Sequence, residues 1–508
     1  MARPPSLQAR RFLLVAAHEL RLLAREKMLW LAVGLFTLLV AYAVFNGLQQ
    51  TRWRDAAQTA LVHADQQARS DQLAQLQRIL DGTQTPTPFG NPANPANLGG
   101  GLGGQFAVMP SLAMTPVALG QSDLFPAQFR VTTASKINFL HNNDIENPWH
   151  VLSGHFDLAF VTVYLLPLLI FALGYNLLAG EREDGSLKLL LSQPLAFATL
   201  IFGKIMVRTG VLLTVAVLVP VVALATARPQ VLQTLDVTLW WVALVALYAL
   251  FWCALVVFVN VLNTSSAANA MILIVSWVML VLVIPVLVNI GVGIASPAPS
   301  RAELVTRTRV VTSQAMRQNA ALLATDYHQT SSDTVNAPDD AHDHAQTHAH
   351  THAHAKPQTG RIVIDARPLA NARIQNQVEL AMKPELAKFD VHMARQHALV
   401  TRAAIVSPAI VAVEGMTALA GTGYLRYAHF MQHIDAFHQR WKNFFLPRIE
   451  AGQAVLPQDF PAIPVFQWQE PSPQMLHQQA RRAVGQLALP ILLLFVLTVW
   501  RIRRYRVV

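Results

Sequence analysis

Six histidines, His342, His344, His348, His350, His352 and His354, alternate with small residues beside Asp339, Asp340 and Asp343. Neutral imidazole is a good ligand for zinc, copper and nickel, and alternating histidines on a loose chain offer several donors to one ion. Transition-metal capture is therefore open to this segment. A closed structural zinc site is not, because the spacing is wrong and the single cysteine, Cys253, lies in an apolar run. Residues 339–356 contain no apolar side chain larger than alanine, so they cannot bury themselves. The competing reading is a solvated linker with incidental metal affinity. A second group works by charge rather than ligation. Glu181, Arg182, Glu183, Asp184, Gly185, Ser186 and Leu187 begin a polar, helix-forming stretch, about 181–194, between two long hydrophobic runs. Acids near a helix N-terminus are favoured by its dipole, and Gly185 and Ser186 permit a tight turn. Such a segment can be gripped by another protein; the bland reading is a solvated loop.

No catalytic constellation emerges elsewhere. His392, His397, His429, His433 and His438 fall on helical patterns, and His429 and His433 are one turn apart, but no Glu-x-x-His pattern or third ligand accompanies them. Packing or surface roles are favoured. The run Gly99 to Gly104 lacks the strand, helix and Lys-Ser/Thr of a phosphate-binding loop. Asp157, at the mouth of an apolar run, is a candidate pathway residue, because a carboxylate there needs a partner or water. Its alternative role is a helix N-cap. Most asparagines near the apolar runs read as helix–helix hydrogen bonds.

The elements that position these groups follow from composition. Hydrophobic residues make up 53% of the chain, charged ones 13%, and mean hydropathy is +0.35, which places it among membrane proteins. The net charge of +10 does not imply nucleic acid, since the basic residues gather at the ends of apolar runs. Crossing the hydrocarbon core takes about 20 apolar helical residues. Six runs qualify: Met28–Leu48, Phe156–Ala179, Phe202–Ala225, Val237–Leu262, Ala268–Val292 and Ala483–Trp500. Arg10, Arg11, Arg21, Arg25 and Lys27 precede the first, Arg182, Lys188 and Lys204 are assigned to the loop after the second, and Arg501, Arg503, Arg504 and Arg506 follow the sixth. The positive-inside rule makes all three cytoplasmic. Residues 49–155 and 293–482 then face outward, while 1–27 and 501–508 are cytoplasmic.

The expected architecture is mainly α: a polytopic membrane protein with six transmembrane helices and a largely helical periplasmic domain built from two insertions. Ile405–Gly421 is apolar, but Pro408 and Glu414 interrupt it, and a seventh crossing would put the terminal arginines outside. It reads as a buried or interfacial helix. The pattern in Leu7–Lys27 suits an amphipathic helix in the cytoplasmic interface. Gln49–Leu80 has no proline or glycine and continues the first span as a stalk. Beyond Asp81 the prolines and glycines read as a flexible loop. Helices are expected over Arg301–Gln329, Leu369–Thr401 and Tyr424–Ile449, with brief strands at Arg361–Ala366 and Ile463–Trp468. Pro167, Pro220, Pro285 and Pro490 read as kinks or static bends within spans.

The second run carries a more specific pattern. Asn147-Pro148-Trp149, Gly154-His155-Phe156-Asp157, Tyr164-Leu165-Leu166-Pro167-Leu168, Tyr175-Asn176-Leu177-Leu178 and Glu181-Arg182-Glu183-Asp184-Gly185-Ser186-Leu187 resemble the type-2 ABC exporter permeases. Ser407-Pro408-Ala409 and Ala420-Gly421-Thr422-Gly423 resemble the subgroup with a large periplasmic domain of unknown function. The resemblance implies that Glu181 to Leu187 form a coupling helix docking on a separate ABC ATP-binding subunit. It also implies a second permease copy or related permease, and a bacterial inner-membrane location with both termini cytoplasmic.

This chain has no Gly-x-x-x-x-Gly-Lys-Ser/Thr motif, so no cofactor is expected on it; ATP and Mg belong to the partner ATPase. It is not expected to be an enzyme itself. The leading reading is export of an unidentified cargo. Two alternatives stand beside it: an ATP-driven relay to a periplasmic partner, such as one in metalloenzyme maturation, and a metal-binding membrane receptor built on the histidine linker. The partners expected are thus the ATPase, a permease copy, the lipid bilayer and a periplasmic protein, with no nucleic acid.

Overall fold

The computed structural model describes residues 7–503 except 26, 88, 121–124, 138–155, 186–196, 263, 298–299 and 325–365. The histidine linker therefore lies outside the described residues. Helix α1 (Leu7–Arg25) precedes α2 (Lys27–Leu80), followed by α3 (Leu158–Glu183), α4 (Phe197–Ala227), α5 (Leu235–Val261) and α6 (Ser266–Ala295). Then come α7 (Arg301–Gln318), α8 (Ala366–Ala403), α9 (Pro408–Ala420), α10 (Tyr424–Ala451) and α11 (Pro473–Arg503). Among the described residues six helices, α2 to α6 and α11, are long and apolar enough to cross a bilayer. Each expected span lies within one of them, apart from a residue or two at the ends. One expectation is corrected: Lys204 belongs to the opening turns of α4 and not to the preceding loop.

Helix α5 is the hub. It is 61% buried, against 11% for α6, and its Trp241, Tyr248 and Trp252 fill the centre of the bundle. Two prolines determine how neighbouring spans attach to it. A proline has no N–H for the carbonyls behind it. Pro167 follows a π-helical turn, Val161–Leu165, and the Val163 carbonyl accepts instead from Tyr248 Oη of α5 at 2.8 Å. Pro285 likewise follows the π turn Val278–Val283, and the Leu280 carbonyl accepts from Ser407 Oγ at 2.6 Å. These two prolines thus release carbonyls that become ties between helices. Pro220 and Pro490 sit inside continuous helices.

Ser407 begins α9, the apolar segment expected to be buried or interfacial. Its 13 residues are too few to cross a bilayer. Ser407 Oγ caps Ile410 N, Pro408 occupies the first turn, and Gly421 ends the helix at φ +73°. Helix α9 packs between α5 and α11, where Gly415 allows contact: a Cβ there would lie 2.7 Å from Leu244 Cδ2. Its N-terminus reaches Leu280 near the middle of α6, so it enters the outer half of the bundle.

The two insertions form an extramembrane domain on the stalk of α2, which is unbroken for 54 residues, about 80 Å. Asp65, Arg69 and Gln72 bind the backbone at Phe106, Phe460 and Leu102. The domain core is one face of α10, where Phe430, Phe437, Trp441 and Phe445 recur at helical spacing. The glycine run, expected as a flexible loop, instead packs here. A Cβ on Gly99 would lie 2.6 Å from Phe445 Cγ, and the Gly99 carbonyl accepts from Trp441 Nε1 at 2.9 Å. Only glycine allows the backbone to approach the aromatic face this closely. The strands also differ from expectation. Strand β1 (Gln105–Val108) pairs antiparallel with β2 (Gln128–Val131), with Phe106 opposite Arg130. Ile463–Trp468 carries no strand, and 361–365 lie outside the described residues.

His438 of α10 is buried, and its Nε2 donates to the Ala134 carbonyl at 3.0 Å. Burial pushes its pKa below the ordinary 6.5, outweighing Glu379, which Lys442 pairs at 3.2 Å. The folded protein therefore holds His438 neutral, while the unfolded chain takes up a proton below pH 6.5. Stability is fully present above that pH and falls as pH drops through it toward the depressed value. Thermal melting of the purified chain should decline on acidification from pH 7 to 5, and His438→Gln should flatten part of that decline. An unchanged slope in the variant contradicts this assignment.

Candidate functional site

Helix α3 does not end in one smooth turn. After Gly174 it breaks over Tyr175–Leu178 and resumes at Ala179–Glu183, which ends at Asp184 and at Gly185 with φ +74°. The freed backbone groups need partners. Asn260 of α5 supplies three bonds, accepting from Leu178 N at 3.1 Å and donating to the Gly174 and Val256 carbonyls at 2.9 Å. Asn269 of α6 donates to the Tyr175 carbonyl at 3.1 Å. Two spans thus clamp the break with side-chain amides.

The charged turn beyond the break is held by three partners. Glu181 pairs with Lys204 of α4, and Arg182 donates to the Thr264 carbonyl. Glu183 accepts from Ser266 N and from Ser266 Oγ, each at 2.9 Å. That places a carboxylate at the N-terminus of α6, whose dipole favours it. Gly185 sits in open space, so its glycine is required by the positive φ and not by crowding. Ser186 and Leu187 lie outside the described residues. The turn therefore touches α4, the loop before α6, and α6 itself.

Helix α1 attaches nearby through Glu19, whose side chain is only 1% exposed. A buried carboxylate requires a partner, and Arg208 of α4 supplies a two-nitrogen contact at 2.7 Å. Arg208 also donates to the Leu173 carbonyl of α3. Lys204 and Arg208 are thus one helical turn apart and grip the charged turn and α1 together. The sequence signal for both was a cation inside the apolar run of the third span. Glu19, the one acid within α1 among its arginines, was a comparable signal.

Asp157 is 4% exposed. Its Oδ1 accepts from Phe160 N at 2.8 Å, and its Oδ2 accepts from Leu119 N at 2.9 Å and Gly120 N at 3.4 Å. It caps α3 and pins the turn that follows Thr115–Val117. The rings of His429 and His433 lie 4.5 Å apart, tilted at 56°, beside Trp468, and His429 Nε2 faces the Gln469 carbonyl at 3.2 Å. No group of three or more potential metal ligands occurs among the described residues.

The clamped turn and the first five spans lie within a stretch, residues 13–355, that matches the family model described as ABC-2 family transporter protein, and the sixth span falls beyond it. The chain belongs to this family. It is a membrane permease of the ABC transporter class. A second model, described as a domain of unknown function (DUF3526), matches residues 322–469 and so covers α8, α9 and α10. No curated protein and no solved structure matches the chain.

The Glu181–Lys204 pair is mostly buried, at 19% and 11% side-chain exposure. Removing one partner leaves a mostly buried charge with less compensation, whereas removing both does not. Lys204→Met should destabilise the permease by about 3–5 kcal/mol, and adding Glu181→Gln should restore most of the loss. Melting of the solubilised protein measures both. Simple additivity of the two losses would rule out the coupling.

Proposed function

We propose that this permease couples ATP hydrolysis by a separate ATP-binding subunit to export of a cargo, and that the turn Ala179–Gly185 receives the stroke. Family membership supports an ATP-binding partner. The observation that carries the coupling assignment is the set of ties from Glu181, Arg182 and Glu183 to α4, Thr264 and α6. A force applied there reaches three spans without crossing a flexible joint. Two permease copies would flank the pathway in the bacterial inner membrane, with this turn and both termini cytoplasmic, as the arginine and lysine distribution supports.

A second reading is favoured by one feature. Helix α2 runs unbroken from the membrane into the extramembrane domain, which suits a relay of motion to a periplasmic partner as well as export. The extramembrane domain is periplasmic in both readings. The cofactor assignments follow: ATP and Mg reside in the partner, and a transition metal at His342 to His354 would be the one ion held by this chain.

Two measurements test the reading. In a Cys253→Ser background, Asp184→Cys should react with a membrane-impermeant maleimide only in inside-out vesicles. Glu183→Ala combined with Gly185→Ala should lower permease-stimulated hydrolysis by the ATP-binding partner about tenfold, since it removes both the α6 tie and the turn conformation. Labelling from the periplasmic side, or stimulation unchanged by the double variant, would refute it.

A further inference from the structure

A cavity of about 630 Å³ lies where the outer ends of α5 and α11 meet α9 and the adjoining ends of α8 and α10. That is the size of a small-molecule site. Its walls are apolar over Leu112, Met114, Val411, Leu419, Leu425 and Leu476. Its floor is α9, the short helix tied by Ser407 to the middle of α6. No described residue fills this space.

The charges around the cavity are unequally committed. Arg426 is held by both oxygens of Glu470, at 2.6 and 3.0 Å. His477 lies between Trp240 Nε1 at 3.0 Å and Asp236 at 3.4 Å. Glu414 accepts from Thr401 Oγ1 at 3.2 Å, and burial raises its pKa above the usual carboxylate range. Burial also lowers the pKa of His397, whose ring lies 4.8 Å from Tyr424, so it tends to be neutral. Two cations are left over. Arg402 and Arg482 both line the cavity and both are solvent-exposed, and neither forms an ion pair among the described residues. Arg482 donates to the Thr401 carbonyl at 3.4 Å, and its field reaches Glu414 without an ion pair forming.

We propose that this cavity binds an anionic amphiphile, with its acidic headgroup against Arg402 and Arg482 and its apolar body along α9 and the Leu112–Met114 segment. An apolar wall alone would accept any hydrophobe. The uncommitted guanidinium pair selects negative charge, because guanidinium groups match carboxylate and phosphate geometry and the local acids are paired or tend to be neutral. A cationic amphiphile would meet like charge at the rim. Arg402 and the α9 floor belong to the stretch matched by the domain of unknown function, while Arg482 and the Leu112–Met114 segment lie outside it, so the site would join that domain to the rest of the chain. It deepens the export reading, on which the occupant's role as cargo rests; the binding itself is independent of it.

Calorimetric titration of the purified full chain in phosphatidylcholine nanodiscs tests the assignment. Three probes share one tail: dodecyl phosphate, dodecyltrimethylammonium and dodecyl maltoside. Dodecyl phosphate should bind saturably, and the other two should not. Arg402→Gln with Arg482→Gln should weaken that binding about tenfold or more while leaving the melting temperature within a few degrees, as both side chains are exposed. Ala418→Trp, which projects bulk into the cavity, should abolish it with both arginines intact. Adding phosphatidylglycerol to the nanodisc separates the sources: competition identifies a membrane lipid, and undiminished binding identifies a soluble amphiphile. Saturable binding of the ammonium probe at equal affinity, or undiminished phosphate binding in the arginine double variant, would overturn the assignment. No ATPase enters the assay, so a failure of the coupling reading would leave these results standing.

Discussion

The ion pairs at the two ends of α4 are the constraint on which the rest of the molecule depends. At the end near α1, Lys204 and Arg208 hold Glu181 of the charged turn and Glu19 of α1. At the outer end Arg228 holds Asp55 of the stalk at 3.0 Å. Helix α4 is 31 residues long, and the stretch from Lys204 to Arg228 makes a rod of about 36 Å, enough to cross the hydrocarbon core of a bilayer. One helix thus links the turn to the stalk, the route along which the proposed stroke would travel, and the stalk carries the extramembrane domain through Asp65, Arg69 and Gln72. Glu183 on the first residues of α6 makes a parallel path, because α6 in turn meets α9 at Leu280. The two paths share an origin and end in different parts of the outer face.

Proline chemistry makes the second path specific. A span made only of leucine and valine offers its neighbours no hydrogen-bonding groups, since every backbone bond is closed within the helix. Pro167 and Pro285 each open one, and Tyr248 and Ser407 occupy the released carbonyls. These are directional contacts where dispersion alone would let helices slide. They also explain why α9 can lie among the spans without crossing: its capping serine satisfies its own helix and α6 together.

Much of the architecture was legible in the chain because its signals are one-dimensional. Six apolar runs, the proline-free stalk and the aromatic spacing in α10 each depend on neighbours a few residues apart. Ile405 to Gly421 was readable for the same reason, since Pro408, Glu414 and its length argue against a crossing. What could not be read depends on residues far apart in sequence. The glycine run was taken as a loop because its partners, Trp441 and Phe445, are more than 300 positions away. The pairing of Gln105–Val108 with Gln128–Val131 is masked by the turn-rich residues between them. The charged turn was legible in composition, and Lys204 and the span asparagines stood out as polar groups in apolar runs, whereas their convergence on that turn was not, because each sits on a different span from it. Asp157 carried both meanings in sequence, and three backbone N–H groups aimed at its carboxylate account for the capping role.

The central claim, that work enters at the charged turn and crosses the membrane through α4, has one direct measurement. In a Cys253→Ser background, spin labels replace Leu232 beyond the outer end of α4 and Ile294 at the outer end of α6, both exposed positions. Their separation is read by pulsed dipolar spectroscopy in the assembly with its ATP-binding partner, with and without nucleotide. The account predicts a nucleotide-dependent shift that is lost in the Glu181→Gln, Lys204→Met protein while the partner still binds nucleotide. The same shift in that protein would contradict it.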